Sequence, residues 1–263
     1  MTQLRHRIVL AGASGRMGQA MWPGLASAPD IQPVAALSRH PARADLSADV
    51  LWSADTDKIL SACRPGDIWI DLTTGDAATA HVPKVLDAGL RVIVGATGMA
   101  SETLSAWSAR TEAGSGTVLV VPNFSLGAVL MMRFAEMAAR LLPDVAIIEG
   151  HHAAKRDAPS GTACRTAERI AAARLRAPEV ALRPDQPALG QDVAGVPVHA
   201  IRMPGMLAHQ EVVFGAQGEV LTIRHDAMGR DCFLPGLLLA IRRLDRVRGL
   251  ATGLEHVLEE KTT

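Results

Sequence analysis

The apolar run Arg7-Ile8-Val9-Leu10-Ala11 breaks directly into Gly12-Ala13-Ser14-Gly15-Arg16-Met17-Gly18. A short buried strand is thus followed by a glycine turn and the start of a helical pattern. In a parallel α/β unit the first glycine permits the tight turn and the second lets backbone approach a pyrophosphate. The third lets the helix lie close on the sheet. The spacing is G-x-x-G-x-x-G rather than G-x-G-x-x-G. A βα turn with no ligand satisfies the same pattern, but its place at the first βα junction of a longer series favours a dinucleotide site.

That series continues down the chain. Arg7–Ala11, Ile31–Leu37, Val50–Ser53, Ile68–Leu72, Arg91–Gly95 and Val118–Val121 read as strands, with helical spacing in Met17–Ser27, Ala77–Ala88 and Ala100–Ala113. Such alternation predicts an α/β fold built on a doubly wound, Rossmann-type parallel sheet. From Leu126 the pattern changes: Leu126, Val129, Leu130, Phe134, Met137, Ala138 and Leu141 follow helical spacing up to Pro143. Val145–Glu149 then reads as a strand, Thr162–Leu175 as a helix and Ala177–Ala194 as an exposed loop. Val196–Met203, Gln210–Phe214 and Glu219–Asp226 read as an antiparallel sheet. Phe233–Val247 reads as a last long helix, before a charged tail, Glu255–Thr263, expected to fray. The expected organisation is a dinucleotide-binding domain, residues 1–122 plus 233–263, and a second α+β substrate-binding domain, residues 123–232.

With 263 residues the chain can bury a large core. The formal net charge is zero, cations are spread rather than blocked, and aromatic residues are few, which argues against a nucleic-acid partner. No apolar run approaches the roughly 20 residues that span a bilayer, and Met1–Arg7 lacks the apolar core of a signal peptide. Cys63, Cys164 and Cys232 share no metal-ligand spacing, and a reducing cytoplasm is the expected location.

The end of the second strand bears on the choice of nucleotide. A site specific for NADH usually places an acidic residue there for the ribose 2′-hydroxyl; here stand Ser38 and Arg39, with His40 and Arg43 close behind. A hydroxyl and an arginine suit a 2′-phosphate, so NADPH is the expected cofactor, with NADH as a second electron donor. A solvated loop arginine is the simpler alternative. Two further turns, Gly95-Ala96-Thr97-Gly98 and Pro122-Asn123-Phe124-Ser125, sit at C-terminal strand ends, where open α/β sheets bind ligands.

Residues 149–163, Glu-Gly-His-His-Ala-Ala-Lys-Arg-Asp-Ala-Pro-Ser-Gly-Thr-Ala, concentrate more chemistry than any other stretch. Either His151 or His152 can donate a proton near neutral pH. Lys155 supplies a point cation that holds or polarises a substrate. Ser160, Gly161 and Thr162 resemble a carboxylate cradle at a helix N-terminus, and Asp157 is expected to order the loop. Glu149, His151, His152 and Asp157 match no familiar metal-ligand spacing, and Lys155 among them repels a cation, so no metal is expected. His209 and His225, isolated within strand patterns, read as structural. Arg230 is placed either to reach a carboxylate or to act as a hinge residue.

Four motifs in order now carry a resemblance: Gly12–Gly18, Val94–Gly98, Pro122–Ser125 and Glu149–Ala163. Together they resemble the 4-hydroxy-tetrahydrodipicolinate reductase (dihydrodipicolinate reductase) family of lysine and diaminopimelate biosynthesis, across essentially the whole chain. The resemblance implies that NAD(P)H delivers hydride to C4 of a cyclic dicarboxylate, with His151 as proton donor and Lys155 as a second donor. It implies substrate contacts from His152, Gly161 and Thr162. It implies cofactor contacts from Gly12, Ala13, Ser14, Gly15, Arg16 and Met17, from Gly95, Ala96 and Thr97, and from Pro122, Asn123 and Phe124. It also implies a homotetramer associated through the sheet of the second domain. Ser38 replaces an acidic residue common in members that use NADH well; Ala96, Ala208 and Gly229 also replace commoner residues. Other readings are a reductase of another small carboxylated amino-acid precursor, a catalytically silent NADP-binding regulator, and a metal-dependent hydrolase built on the histidine pair.

Overall fold

Parallel strands covered by helices on both faces have to be apolar along their whole length, and the first sheet obeys this. Ile8, Val9, Leu10, Trp69, Ile93 and Leu119 are all fully buried. A computed structural model describes residues 6–40, 49–114, 116–178 and 186–258. The chain divides into two units, Met1–Ser125 with Arg230–Thr263, and Leu126–Gly229.

In chain order the first unit begins β1 (His6–Ala11), α1 (Arg16–Ser27), β2 (Ile31–Leu37), β3 (Leu51–Ser53) and α2 (Thr56–Ser61). It continues β4 (Ile68–Asp71), α3 (Gly75–Asp87), β5 (Arg91–Val94), α4 (Ser101–Gly114) and β6 (Thr117–Val120). The second unit holds α5 (Leu126–Ala139), β7 (Asp144–His151), α6 (Gly161–Ala173), β8 (Gln191–Val193), β9 (Val196–Arg202), β10 (Ala208–Ala216) and β11 (Glu219–Ala227). The chain then returns to the first unit as α7 (Leu234–Arg242), β12 (Gly249–Thr252) and α8 (Glu255–Leu258).

The first sheet runs β12-β6-β5-β4-β1-β2-β3, every pair parallel. From β1 the chain winds outward through β2 and β3, then starts again at β4 and winds the other way. The switch point therefore lies between β1 and β4, where a crevice opens at the C-terminal strand ends. The turn after β1 is built for it. Gly12 has φ +83°, and a Cβ there would lie 2.8 Å from the Leu72 carbonyl oxygen. A Cβ on Gly18 would overlap the Gly12 carbonyl and lie 2.6 Å from Ala13 Cα, so α1 packs directly on the turn that precedes it.

The second sheet, β11-β10-β7-β9-β8, is mixed. Of the expected antiparallel sheet of three strands, β10 and β11 pair as expected, but β9 does not pair with β10: β7 lies between them, antiparallel to β10 and parallel to β9, and β8 adds antiparallel to β9 at the edge. The cause is the crossover through α6, which returns the chain in the same direction. Three further expectations change. The segment read as a loop contains a 3-10 turn, Pro187–Leu189, and strand β8, with 179–185 outside the described residues. The last long helix stops at Arg242. Its apolar spacing persists because Leu244, in a 3-10 turn, and Val247 are buried without being α-helical. Strand β12 was not anticipated, since Gly-Leu-Ala-Thr carries no β-branched run. Of the tail expected to fray, Glu255–Leu258 is a helical turn and the remainder lies outside the described residues.

Replacing Gly18 by alanine forces a methyl group into backbone. Urea denaturation is expected to show a loss of about 1–3 kcal/mol, the usual cost of overpacking. An unchanged midpoint would mean that α1 moves freely off the glycine turn.

Candidate functional sites

In the first unit the turns at the C-terminal strand ends are locked together. Leu72 N–H donates to the Ala11 carbonyl at 3.0 Å, and Gly15 N–H to the Gly12 carbonyl at 2.9 Å. Gly15 caps α1 with extended backbone and no side-chain hydrogen bond, so no side chain competes for the first-turn N–H groups. That is the arrangement a pyrophosphate requires. Ala13 is buried, Ser14 and Met17 are half-buried, and Gly15 and Arg16 are exposed around this helix start. At the end of β5, a Cβ on Gly95 would lie 2.6 Å from Leu72 Cδ2 and 2.7 Å from Phe124 Cε2, so Gly95 and Phe124 form one packed surface. Ala96 is buried and Thr97 exposed. Asn123 Oδ1 accepts from Ser125 N–H at 2.8 Å, which fixes the turn that follows exposed Pro122.

At the end of β2 the Ser38 hydroxyl donates to the His40 carbonyl at 2.8 Å and accepts from His40 N–H at 3.1 Å. Ser38 thus closes its own turn, and exposed Arg39 is the group available to a 2′-phosphate. Arg43 lies outside the described residues.

Sequence reasoning missed a buried carboxylate beside this site. Asp71, the last residue of β4, is fully buried. It accepts from Trp69 Nε1 at 3.1 Å, from Thr73 N–H at 3.1 Å and from the Thr73 hydroxyl, and it pairs with His81 Nδ1 at 2.8 Å. Burial pushes its carboxyl up, but the His81, Thr73 and Trp69 hydrogen bonds outweigh it and hold Asp71 below the usual 3.8. Asp71 therefore stays ionised and ties down the turn whose Leu72 carbonyl abuts Gly12.

The second unit carries the other site. Glu149 and His151 are alternate residues of β7, hence on one face of the sheet. Glu149 is fully buried. One carboxylate oxygen, Oε2, takes His151 Nδ1 at 2.6 Å and Arg202 Nη1 at 2.9 Å. The other, Oε1, takes Arg202 Nη2 at 2.7 Å and Ser160 N–H at 3.0 Å. Arg202 ends β9, opposite His151 in the strand register, and was not singled out by sequence because it is one arginine among many. Burial pushes the Glu149 carboxyl up, and Arg202, His151 and Ser160 together hold it below the ordinary 4.5. An ionised carboxylate can only accept, so His151 donates through Nδ1–H. Its Nε2 is left to exchange a proton. Burial makes His151 harder to protonate than usual, and Glu149 only partly offsets that effect.

His152 is half-buried, and no hydrogen bond ties its ring among the described residues. Lys155 Nζ donates to both Asp157 oxygens, at 2.8 and 2.7 Å, so the loop-ordering role expected of Asp157 takes the form of an ion pair. Ser160 caps α6 by accepting from Ala163 N–H at 3.2 Å. A Cβ on Gly161 would meet nothing within 4 Å, leaving room beside the helix start. Thr162, half-buried, passes its carbonyl to the Thr166 hydroxyl at 2.7 Å, and Thr166 in turn accepts from Gln210 Nε2 at 2.8 Å. His209 pairs with Asp226 at 2.6 Å, and His225 packs over Gly127. Arg230 opens a 3-10 turn, Arg230–Phe233, of the first unit, whereas His151, His152, Lys155 and Ser160–Thr162 lie together in the second. Among the described residues no group of three or more His, Cys, Asp or Glu is arranged to hold a metal, and no helix is long and apolar enough to cross a membrane.

A doubly wound sheet with a glycine turn at its switch point, joined to a unit bearing a carboxylate-held imidazole beside a capped helix start, defines a pyridine-nucleotide oxidoreductase. Family models described as dihydrodipicolinate reductase, N-terminus and C-terminus, match residues 6–124 and 127–258. The chain is 43% identical over 262 residues to 4-hydroxy-tetrahydrodipicolinate reductase of Moorella thermoacetica, covering 96% of this chain and 98% of that one. It is 40% identical over 271 residues to the Bacillus pumilus enzyme of the same name, covering 98% and 100%. Its fold is similar to the dipicolinate-bound dihydrodipicolinate reductase from Paenisporosarcina sp. TG-14, with TM-score 0.85, 34% identity and 97% and 100% coverage. The chain belongs to the dihydrodipicolinate reductase family.

The Asp71 network sets a pH signature. A carboxyl held below 3.8 in the folded protein contributes stability that is present above that pH and is lost as pH falls through the folded-state value. Unfolding free energies of wild type and Asp71→Asn should differ most above about pH 4 and converge in more acidic solution. A difference independent of pH would show that the charge on Asp71 is not what the network stabilises.

Proposed function

We propose that this protein reduces 4-hydroxy-tetrahydrodipicolinate, by way of dihydrodipicolinate, to tetrahydrodipicolinate in the lysine and diaminopimelate pathway. The observation that carries the reading is the Glu149–His151 pair beside the Ser160 cap, in a chain of this family. Loss of the 4-hydroxyl as water leaves a conjugated ring, and reducing it consumes one hydride and one proton. A bound NADPH supplies the hydride to C4. The glycine turn at Gly12–Met17, the Gly95–Thr97 turn and the Pro122–Phe124 turn would hold that cofactor, and exposed Arg39 is the cation that would pair with a 2′-phosphate, which favours NADPH over NADH.

His151, with Nδ1–H on Glu149, delivers the proton from Nε2. Neutral His151 at ordinary pH is no obstacle. A dicarboxylate seated at Ser160, Gly161 and Thr162 places two negative charges nearby, which favours the imidazolium. His152 and Lys155 complete the carboxylate contacts. Lys155 exchanges Asp157 for the substrate, a swap between two carboxylates that costs it no net charge pairing. The site acts in the cytoplasm as part of a homotetramer formed through the second sheet, whose strands expose Ile201, Val220 and Leu221. Sedimentation equilibrium should return four chains; a monomer across the working concentration range would overturn that assembly.

The reaction is tested by generating the unstable substrate from aspartate semialdehyde and pyruvate with the preceding synthase, and following nicotinamide absorbance. Oxidation should depend on the synthase, and His151→Ala should lower kcat by about 10²–10⁴-fold. Arg39→Ala should raise KM for NADPH and leave KM for NADH unchanged. No oxidation with either cofactor, despite NADPH binding, would instead favour another carboxylated precursor or a silent regulator.

A further inference from the structure

Nothing in the proposed reaction needs Glu149 or Arg202 to touch substrate, yet these two residues join the parts of the site that do. Three points along the 151–160 stretch converge on this pair, in which Glu149 is fully buried and Arg202 half-buried. His151 at the end of β7 reaches Glu149 through Nδ1 at 2.6 Å. The start of α6 reaches it through the Ser160 amide at 3.0 Å. The loop between them reaches Arg202, whose Nη2 donates to the Asp157 carbonyl at 2.6 Å. A buried ion pair of this kind is not in itself a source of stability, since apolar residues of similar volume do as well or better. Arg202 also leaves its Nε buried with no hydrogen-bond partner, and a buried donor left unpaired is destabilising. The fold accepts both costs and keeps the two Nη groups where they are.

We propose that Glu149, clamped by Arg202, is the positioning residue of this site. Its carboxylate selects the Nδ1–H form of His151 and reserves Nε2 for proton transfer. The same carboxylate holds the Ser160 amide, so proton donor and carboxylate cradle share one rigid support. The inference deepens the reductase reading and rests on it. It also separates the two adjacent imidazoles by geometry, because the His152 ring has no such support. The charged groups around His151 are Glu149 on its own strand, Arg202 on β9 and Lys155 on the loop; its cross-strand neighbour on β10, Ala208, is uncharged. Glu149 is the anion paired with the ring, whereas Asp157 is paired with Lys155. Removing the Glu149 charge leaves two cations beside the ring and shifts His151 further toward the neutral form.

The test begins with the unsubstituted chain. Nitrogen-15 histidine spectra of the free protein, with His151 assigned by its loss in His151→Gln, should show the Nδ1–H tautomer. The ring should titrate below the ordinary 6.5. Added dipicolinate should raise that midpoint. In Glu149→Gln the amide oxygen can still accept from Ser160, but the tautomer should become mixed and the titration should move to lower pH. The kcat should fall by about 10²-fold, and its alkaline decline should begin at lower pH than in wild type. Arg202→Lys keeps the charge without the fork and should fall between the two.

A wild-type His151 in the Nε2–H form would overturn the proposal. So would a Glu149→Gln protein that loses thermal stability while keeping the wild-type tautomer and pH profile. If Glu149→Gln does not fold, the wild-type spectrum and Arg202→Lys decide between the same two outcomes. The tautomer is read in the free protein, so absence of turnover would count against the reductase reading alone.

Discussion

A carboxylate sealed from water is tolerable only when its lone pairs are filled, and Glu149 meets that condition with two prongs of one arginine, one imidazole and one backbone amide. The consequence runs outward from there. Satisfying Glu149 brings the end of β9 beside the end of β7, seats the α6 cap and orients His151. The chemistry is therefore a by-product of solving a burial problem. Lys155 and Asp157, more exposed than Glu149 and joined in an ion pair, form the adaptable part of the same site.

The nucleotide-binding unit uses a similar device. Asp71 and Glu149 both lie fully buried near the C-terminal end of a strand, and both hold a histidine through its Nδ1: His81 for Asp71, which also fixes Thr73, and His151, two positions on, for Glu149. Asp71 holds the backbone that leaves its strand, and Glu149 holds the amide that opens the following helix, both places where such connections present their ligand groups. The roles then diverge. His81 completes the support of a turn, whereas His151 is itself the last residue of its strand, at the start of the loop.

How much of this is legible in the sequence depends on the range of the interactions. Apolar runs and glycine spacing are local, so β1, β2 and the α1 turn were readable to within a residue or so. The 149–163 segment showed its chemistry for the same reason, since its functional groups follow one another in order. What could not be read was pairing. Arg202 stands 53 positions from Glu149, and no local pattern links them. The parallel alignment of β9 depends on a crossover whose direction the strand sequences do not encode. Leu244 and Val247 kept helical spacing in a segment that is not α-helical, and β12 is too short to announce itself. His151 and His152 were indistinguishable as residue types; the alternation of a strand, with Glu149 two places before His151, is the signal that separates them.

Strand β12 has a consequence for how the molecule comes into being. It pairs with β6 from Thr117↔Gly249 to Val120↔Thr252, so the edge of the first sheet is closed by residues made after the entire second unit. During synthesis that second unit is uninterrupted chain and is available to fold whole, while β6 waits with an open apolar edge. Such an edge is a site of mispairing until it is covered. Folding of the first unit is thus tied to completion of the chain, and truncation just before Gly249 would leave every residue of the 149–163 site present on a protein whose nucleotide half cannot finish its sheet.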